Sequence, residues 1–249
     1  MAAPGRLRRV FHDLVESAIR NVGGGVGRRI RYRWYRRRFR SCGRNVLIDI
    51  GVIITNPEWI ELGDDVWINS YAMLEAGVPG VLAERILKVR ENPGFRGERG
   101  VLRIGSGVGI GAFNIIQGGG GVVIGNNVTT SAFVKLYSHS HYPRDDQRPD
   151  RITYANCMAN PPDIACVESP IALEDGCWLG LNVSVFGGTV GRNSFVATNA
   201  VVVDSLPPNS HAAGAPARRV RERFQGAGAA ASPEPEAPVP TRLETSGRT

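Results

Sequence analysis

The chain has 249 residues, enough for one large domain or two small ones, with 42% hydrophobic residues and a formal net charge of +7. No apolar run approaches the roughly 18 residues of a spanning helix, and the start lacks a signal-peptide apolar core, so neither a membrane-spanning nor an exported class is expected. Four cysteines, at 42, 157, 166 and 177, match no zinc spacing.

Residues 1–40 hold twelve Arg against only Asp13 and Glu16, so the basic character sits in an N-terminal arm, taken as 1–45. Phe11, Leu14, Val15, Ala18, Ile19 and Val22 recur at helical spacing. They predict an amphipathic helix over about 6–22, broken at Gly23–Gly25. The stretch IRYRWYRRRFR, 30–40, then interleaves Arg with Tyr32, Trp34, Tyr35 and Phe39. It reads as a basic helix covering the open end of the main domain, or as an interfacial segment touching anionic lipid. Arg beside aromatics also suits nucleic acid, but no nucleic-acid fold accompanies the arm, and none is expected as a partner.

From residue 46 a six-residue beat takes over. Aliphatic residues, with one Thr, stand at Ile48 and Ile54, then Leu62, Ile68 and Leu74, then Ile104, Ile110 and Ile116, then Ile124, Thr130 and Leu136. The beat continues at Leu173, Leu179 and Val185, then Val190, Val196 and Val202. Neither a 3.6-residue nor a 2-residue period produces this, and a hexad period predicts a parallel β-helix over 46–207. Three hexads make one triangular coil. The irregular steps (54 to 62, 74 to 104, 116 to 124, 136 to 173, 185 to 190) each come three beats after the last, so all fall at one corner. Two of them are long loops, 75–103 and 137–171. Loops held by a rigid scaffold are where binding and catalysis sit. The first, stacked on the same edge as the second, is a candidate acceptor lid.

His139 and His141 open the second loop, in LYSHSHYPRDD. A histidine can take a proton from an alcohol at neutral pH. A solvated pair and a metal site are the competing readings, and a metal would need a third ligand. Arg144, Asp145 and Asp146 come next as candidates to orient a histidine or bind substrate. Gly118–Gly121 stands at the same corner and suggests close approach of a ligand or a neighbouring subunit. Cys177 falls on an inward slot and reads as core. A closing segment, 208–225, with a short basic helix and a disordered tail, 226–249, are expected to end the chain.

Three stretches carry a resemblance: IGNNVTTSAFVKLYSHSH (124–141), PIALEDGCWLGLNVSVFGGTVGRNSFVATNAVVV (170–203) and GAPARRVR (214–221). Together they resemble the hexapeptide-repeat acyltransferases, such as the maltose, galactoside and nodulation-factor O-acetyltransferases. The long arm and the glycine run resemble the exopolysaccharide and colanic-acid subgroup. The resemblance implies an all-β solenoid, a left-handed parallel β-helix, assembled as a homotrimer with sites between subunits. It implies acetyl-CoA as acyl donor and no metal. It places the catalytic base on His141, with His139 second, and the oxyanion donor on the backbone N–H of Leu181, after Trp178-Leu179-Gly180. Trp178, Gly180, Ala200, Arg218 and Arg221 are the candidate CoA contacts. Asn114, Gln117, Gly119, Arg144 and Asp145 are the candidate acceptor contacts. Gly111 and Gly119 replace the acceptor-binding Asn and Asp of sugar acetyltransferases, which suggests a wider acceptor site. Asp204 replaces a lysine often found beside the CoA phosphates.

The expected activity is O-acetylation of a sugar hydroxyl in a bacterial surface polysaccharide or glycoconjugate. The expected location is cytoplasmic, with a candidate peripheral contact to the inner membrane face through residues 1–40. N-acylation of an amino sugar or antibiotic is the rival chemistry, and a noncatalytic trimeric scaffold the rival class. A zinc enzyme of carbonic-anhydrase type would need three histidines from adjacent coils.

Overall fold

The structure is a computed structural model and describes residues 6–78, 86–142, 145, 148, 150, 153, 160 and 163–224. The expectations for Arg144, Asp146 and the tail at 226–249 lie outside those residues.

The hexads build a three-sided prism, a left-handed parallel β-helix. Its first face stacks Ser41–Cys42, Ile60–Leu62, Leu102–Ile104, Val122–Ile124, Ile171–Leu173 and Gly188–Val190. The second runs Leu47–Ile48, Trp67–Ile68, Gly109–Ile110, Thr129–Thr130, Trp178–Leu179 and Phe195–Val196, then Ser210–Gly214 and Ala217–Glu222. The third stacks Ile53–Thr55, Met73–Ala76, Ile115–Gly118, Lys135–Tyr137, Ser184–Val185 and Val201–Val202. Every beat residue is buried, and together they form one continuous core. All the irregular steps fall between the third face and the first. The loops leave the ladder undisturbed, since Leu62 stays opposite Ile104 and Ile124 opposite Leu173.

Two helices close the N-terminal end, α1 (Arg6–Arg20) and α2 (Gly24–Tyr35). α2 sinks Gly27, Arg31 and Tyr35. Gly27 packs so tightly that a Cβ would overlap the Val22 carbonyl. Arg31 spends its charge on carbonyls, with Nε on Ile48 O at 2.9 Å and Nη1 on Val22 O at 2.6 Å and Ile19 O at 3.0 Å. Burial lowers its pKa from the usual guanidinium value, with Asp49 opposing. Tyr35 and Phe39 stack at 5.9 Å and join the core. The edge-covering reading therefore holds for α2. Among the described residues no helix is long and apolar enough to cross a membrane.

The expected C-terminal helix is instead a strand. Ser210–Gly214 extends the second face, and Ala217–Glu222 returns antiparallel along it, with Gly214 opposite Ala217. An open sheet edge exposes a row of unpaired backbone groups, and pairing them outweighs the weak helical preference of RRVRE.

Candidate active site

The busy corner carries a small sheet of its own. His139–His141 pairs antiparallel with Ala165–Glu168, which pairs parallel with Ile86–Val89 from the first loop. In register, His139 stands opposite Glu168 and His141 opposite Cys166. The histidines alternate with Ser140 and so share one face of the strand, with ring centroids 6.4 Å apart. His139 is half-buried and His141 exposed.

Beneath this strand side-chain and backbone hydrogen bonds fix the chain. Ser138 is fully buried and its Oγ donates to Gln117 O at 2.6 Å and accepts from Gly120 N at 3.1 Å. Ser169 N donates to Ser138 O at 2.8 Å. Glu168, also buried, is gripped through one oxygen by Arg99, from Nε at 2.6 Å and from Nη2. Lys88 Nζ reaches Tyr142 Oη at 3.1 Å. The Glu168–Arg99 pair has no signal in the sequence, because its partners lie in different loops. The short apolar runs at 86–89 and 164–168 could have flagged two further strands.

The described part of the first loop, from 86 onward, is not a lid. Its Ile86–Val89 strand is built into the histidine sheet, and Asn92 ties it to Pro170 O at 3.0 Å and to Thr189 Oγ1 at 2.9 Å. This part supports the site rather than covering it.

The glycine run is explained by the chain itself. A Cβ on Gly119 would lie 2.7 Å from the His139 Cβ, and one on Gly120 2.3 Å from Ser138 O. Gly121, at φ +95°, would drive a Cβ into Phe95 and Glu98. The approach expected from a ligand or another subunit comes instead from both corner loops. Nor does Gly119 widen the acceptor site, since His139 fills the space.

Three other candidate contacts are corrected. Asn114 is fully buried: its Nδ2 donates to Thr130 Oγ1 at 2.6 Å and its Oδ1 accepts Val134 N at 2.8 Å. Asp145 is only 4% exposed and holds Arg148, through its backbone N at 3.2 Å and Nε at 3.5 Å, so it braces the loop. Ala200 lies in the core and offers no surface to CoA. Gln117 stays beside the histidine strand, half-buried, and its Oε1 has no partner among the described residues.

The remaining candidates line the second face. Trp178 is exposed, donates to Ser131 Oγ at 3.2 Å and packs edge-on against Phe195 at 5.4 Å. Phe195 meets His211 at 5.0 Å, and Arg221 Nε reaches His211 Nδ1 at 3.3 Å. Gly180 is buried against the next coil, 2.8 Å from Thr198 N if a Cβ were added. Leu181 is exposed, and its N–H donates to no acceptor among the described residues. It belongs to the corner between the second and third faces. One chain therefore keeps Leu181 and His141 on opposite edges of the third face, about 20 Å apart at ~3.3 Å per residue over a hexad.

Arg218 lies by the loop edge, 3.6 Å from Asp204, and Arg90 of the first loop reaches Asp204 at 3.8 Å. A polar cleft of about 130 Å³ opens there, lined by Arg90, Ser169, Gly187, Gly188, Asp204 and Ser205 among others.

No family model matches the chain. It is 27% identical over 192 residues to a probable acetyltransferase of Mycobacterium tuberculosis, covering 76% of this chain and 58% of that protein. It is 30% identical over 102 residues to the galactoside O-acetyltransferase of Escherichia coli, covering 41% of this chain and 44% of that one. The chain thus spans about half the length of the curated relatives it matches. Its fold matches that of AntD, an N-acyltransferase from Bacillus cereus solved with dTDP-4-amino-4,6-dideoxyglucose and coenzyme A. There the TM-score is 0.61 at 19% identity, covering 78% of this chain and 90% of that one. The chain is thus similar in sequence to acetyltransferases and in fold to an acyltransferase, as the hexapeptide-repeat resemblance leads one to expect. At the busy corner of this chain both loops converge on the histidine strand.

Proposed function

We propose that the protein is a CoA-dependent O-acetyltransferase acting on a sugar hydroxyl of a surface polysaccharide or glycoconjugate. One observation carries the reading: His141 is exposed on a strand that buried pairs and backbone bonds hold in place, at the one corner where the repeat is interrupted. A rigid exposed imidazole is what a general base needs. In the proposed step His141 Nε2 takes the acceptor hydroxyl proton as the oxygen attacks the thioester carbonyl. The tetrahedral oxyanion collapses, the C–S bond breaks, and the imidazolium returns the proton to the CoA sulfur. A backbone N–H such as that of Leu181 stabilises the oxyanion where charge develops.

Because Leu181 and His141 stand on opposite edges of one chain, we read the working unit as a homotrimer whose sites lie between copies. Trp67, Tyr71, Phe113, Phe133, Trp178 and Leu181 support this, being all exposed on the second face and its corner with the third. Tyr71, Phe113 and Phe133 stack nearly parallel, 5.3 and 5.1 Å apart, each at left-handed φ. Bulky residues there cost roughly 1–2 kcal/mol each. A strained, exposed aromatic ladder suits an interface better than a free surface. Arg90 in the cleft and Arg218 beside it, both drawn to Asp204, are the cations we assign to the CoA phosphates, which would have to draw them away from Asp204 and past Glu91. The cytoplasm supplies acetyl-CoA, and we assign the protein there.

The test is thiol release from acetyl-CoA with sugar and glycan acceptors, and analysis of the product linkage. Loss of general-base assistance in His141→Ala lowers turnover by about 10²–10⁴-fold, whereas His139→Ala keeps most of it. Turnover undiminished in His141→Ala refutes the base, and an amide product selects the N-acyl alternative.

A further inference from the structure

The N-terminal cap turns the wrong face outward for a helix that merely packs. On α1, Val10 is 51% exposed, Phe11 59% and Leu14 65%. These recur at i, i+1 and i+4, with Ala18 one turn further and also exposed, so they form one stripe. The side toward α2 keeps only part of the apolar set, half-buried Val15 and Ile19, and mixes it with polar groups. His12 meets Trp34 edge-on at 5.8 Å, and Glu16 accepts the Trp34 Nε1–H at 3.3 Å. α2 repeats the pattern. With Gly27, Arg31 and Tyr35 sunk into the prism, its outer side shows Val26 and Ile30 beside Arg29 and Arg33, and Arg37 follows in the turn after it.

The arginines divide into two groups. Arg28 pairs with Asp49, Arg31 is spent on carbonyls, Arg38 lies over the Trp34 ring at 3.3 Å, and Arg40 binds Glu98 at 2.8 Å. Arg29, Arg33 and Arg37 are exposed and make no ion pair among the described residues. The fold thus uses some of the arm's charge and leaves a cationic row beside an apolar stripe. With twelve Arg and only two acids in residues 1–40, the arm's own acids fall far short of neutralising it.

We infer that this cap is a docking surface for an anionic lipid bilayer. The α1 stripe enters the headgroup–acyl boundary, and Arg29, Arg33 and Arg37 contact lipid phosphates. Exposed apolar side chains flanked by cations are the signature of an interfacial helix, and each half contributes separately. The cap lies at the N-terminal end of the prism, so docking leaves the three faces and the histidine corner clear of the bilayer. This inference does not depend on the acyl-transfer reading.

Flotation of the full chain tests it, with vesicles of phosphatidylcholine alone and of phosphatidylcholine with phosphatidylglycerol. The protein should float with the anionic vesicles, remain behind with the neutral ones, and be released by salt. The triple variant Arg29→Gln, Arg33→Gln, Arg37→Gln should bind roughly 100-fold more weakly, at ~1 kcal/mol per surface arginine. Phe11→Ser with Leu14→Ser should abolish flotation while the melting temperature and light-scattering mass stay unchanged. Failure of the parent chain to float with anionic vesicles overturns the inference. So does a double variant that floats normally, or one whose mass falls, which would make the stripe a contact between copies.

Discussion

Asn114 donates to the Thr130 hydroxyl and accepts the Val134 N–H inside an otherwise aliphatic core. Thr130 passes the network on, donating to Gly109 O at 3.3 Å and accepting Gly111 N at 3.2 Å. Asn114→Ala leaves the buried Val134 N–H without its acceptor and takes one partner from the Thr130 hydroxyl, so stability should fall by about 2 kcal/mol, measured by urea unfolding. The acceptor KM should not move. Thr130 is visible in the sequence as the one polar beat, and Asn114 occupies the slot that Ala72 and Val134 fill in neighbouring coils. Its role as an internal bracket is therefore legible, and assigning it to substrate ignores that slot. Cys177 is core, as its inward slot predicts: burial pushes its thiol up to about 12, and its Sγ lies 3.2 Å from Gly191 O. Burial also raises the Tyr35 hydroxyl above its usual value. Folding favours both neutral forms, so this stability is present below the ordinary thiol value of 9.0 and is lost as pH rises toward about 12. The melting temperature of Cys177→Ala, Tyr35→Phe should fall less steeply over that window than the parent's, and parallel curves would refute the linkage.

At the level of elements, the hexad beat fixes the three long faces because each beat residue meets its equivalent one coil away. The corner sheet obeys no such period. Its strands lie at 86–89, 139–141 and 165–168, and their pairing is set by which loops meet in space. The terminal strand is hidden for the same reason, its partner being the sheet edge rather than its own sequence. Arg99 is the brace of this sheet. Arg99→Ala strands the buried Glu168 carboxylate, which costs about 2 kcal/mol. We expect kcat to fall with little change in the KM for acetyl-CoA, and Arg99→Lys to recover part of it. An Arg99→Ala enzyme with unaltered kcat would show that the sheet does not position His141.

For the whole molecule, the prism shows different chemistry on each edge: histidines on one, an aromatic ladder and a spare N–H on another, cations on the cap. A cyclic assembly brings unlike edges together, since a head-to-tail contact repeated by rotation closes a ring. Phe113→Arg places a charge in the middle of the ladder. It should reduce the mass in sedimentation equilibrium to that of a single chain and abolish activity together. A monomer that stays active would remove the shared site. The most direct measurement is complementation. Leu181→Pro deletes the N–H, at a position before the left-handed Asn182 that suits proline, and His141→Ala deletes the base. Each variant alone should release almost no thiol from acetyl-CoA. Refolded together, mixed trimers contain interfaces that pair an intact His141 with an intact Leu181 N–H of the next copy, and activity should return. If the mixture stays as inactive as its parts, base and donor come from one chain, and the site between copies is wrong.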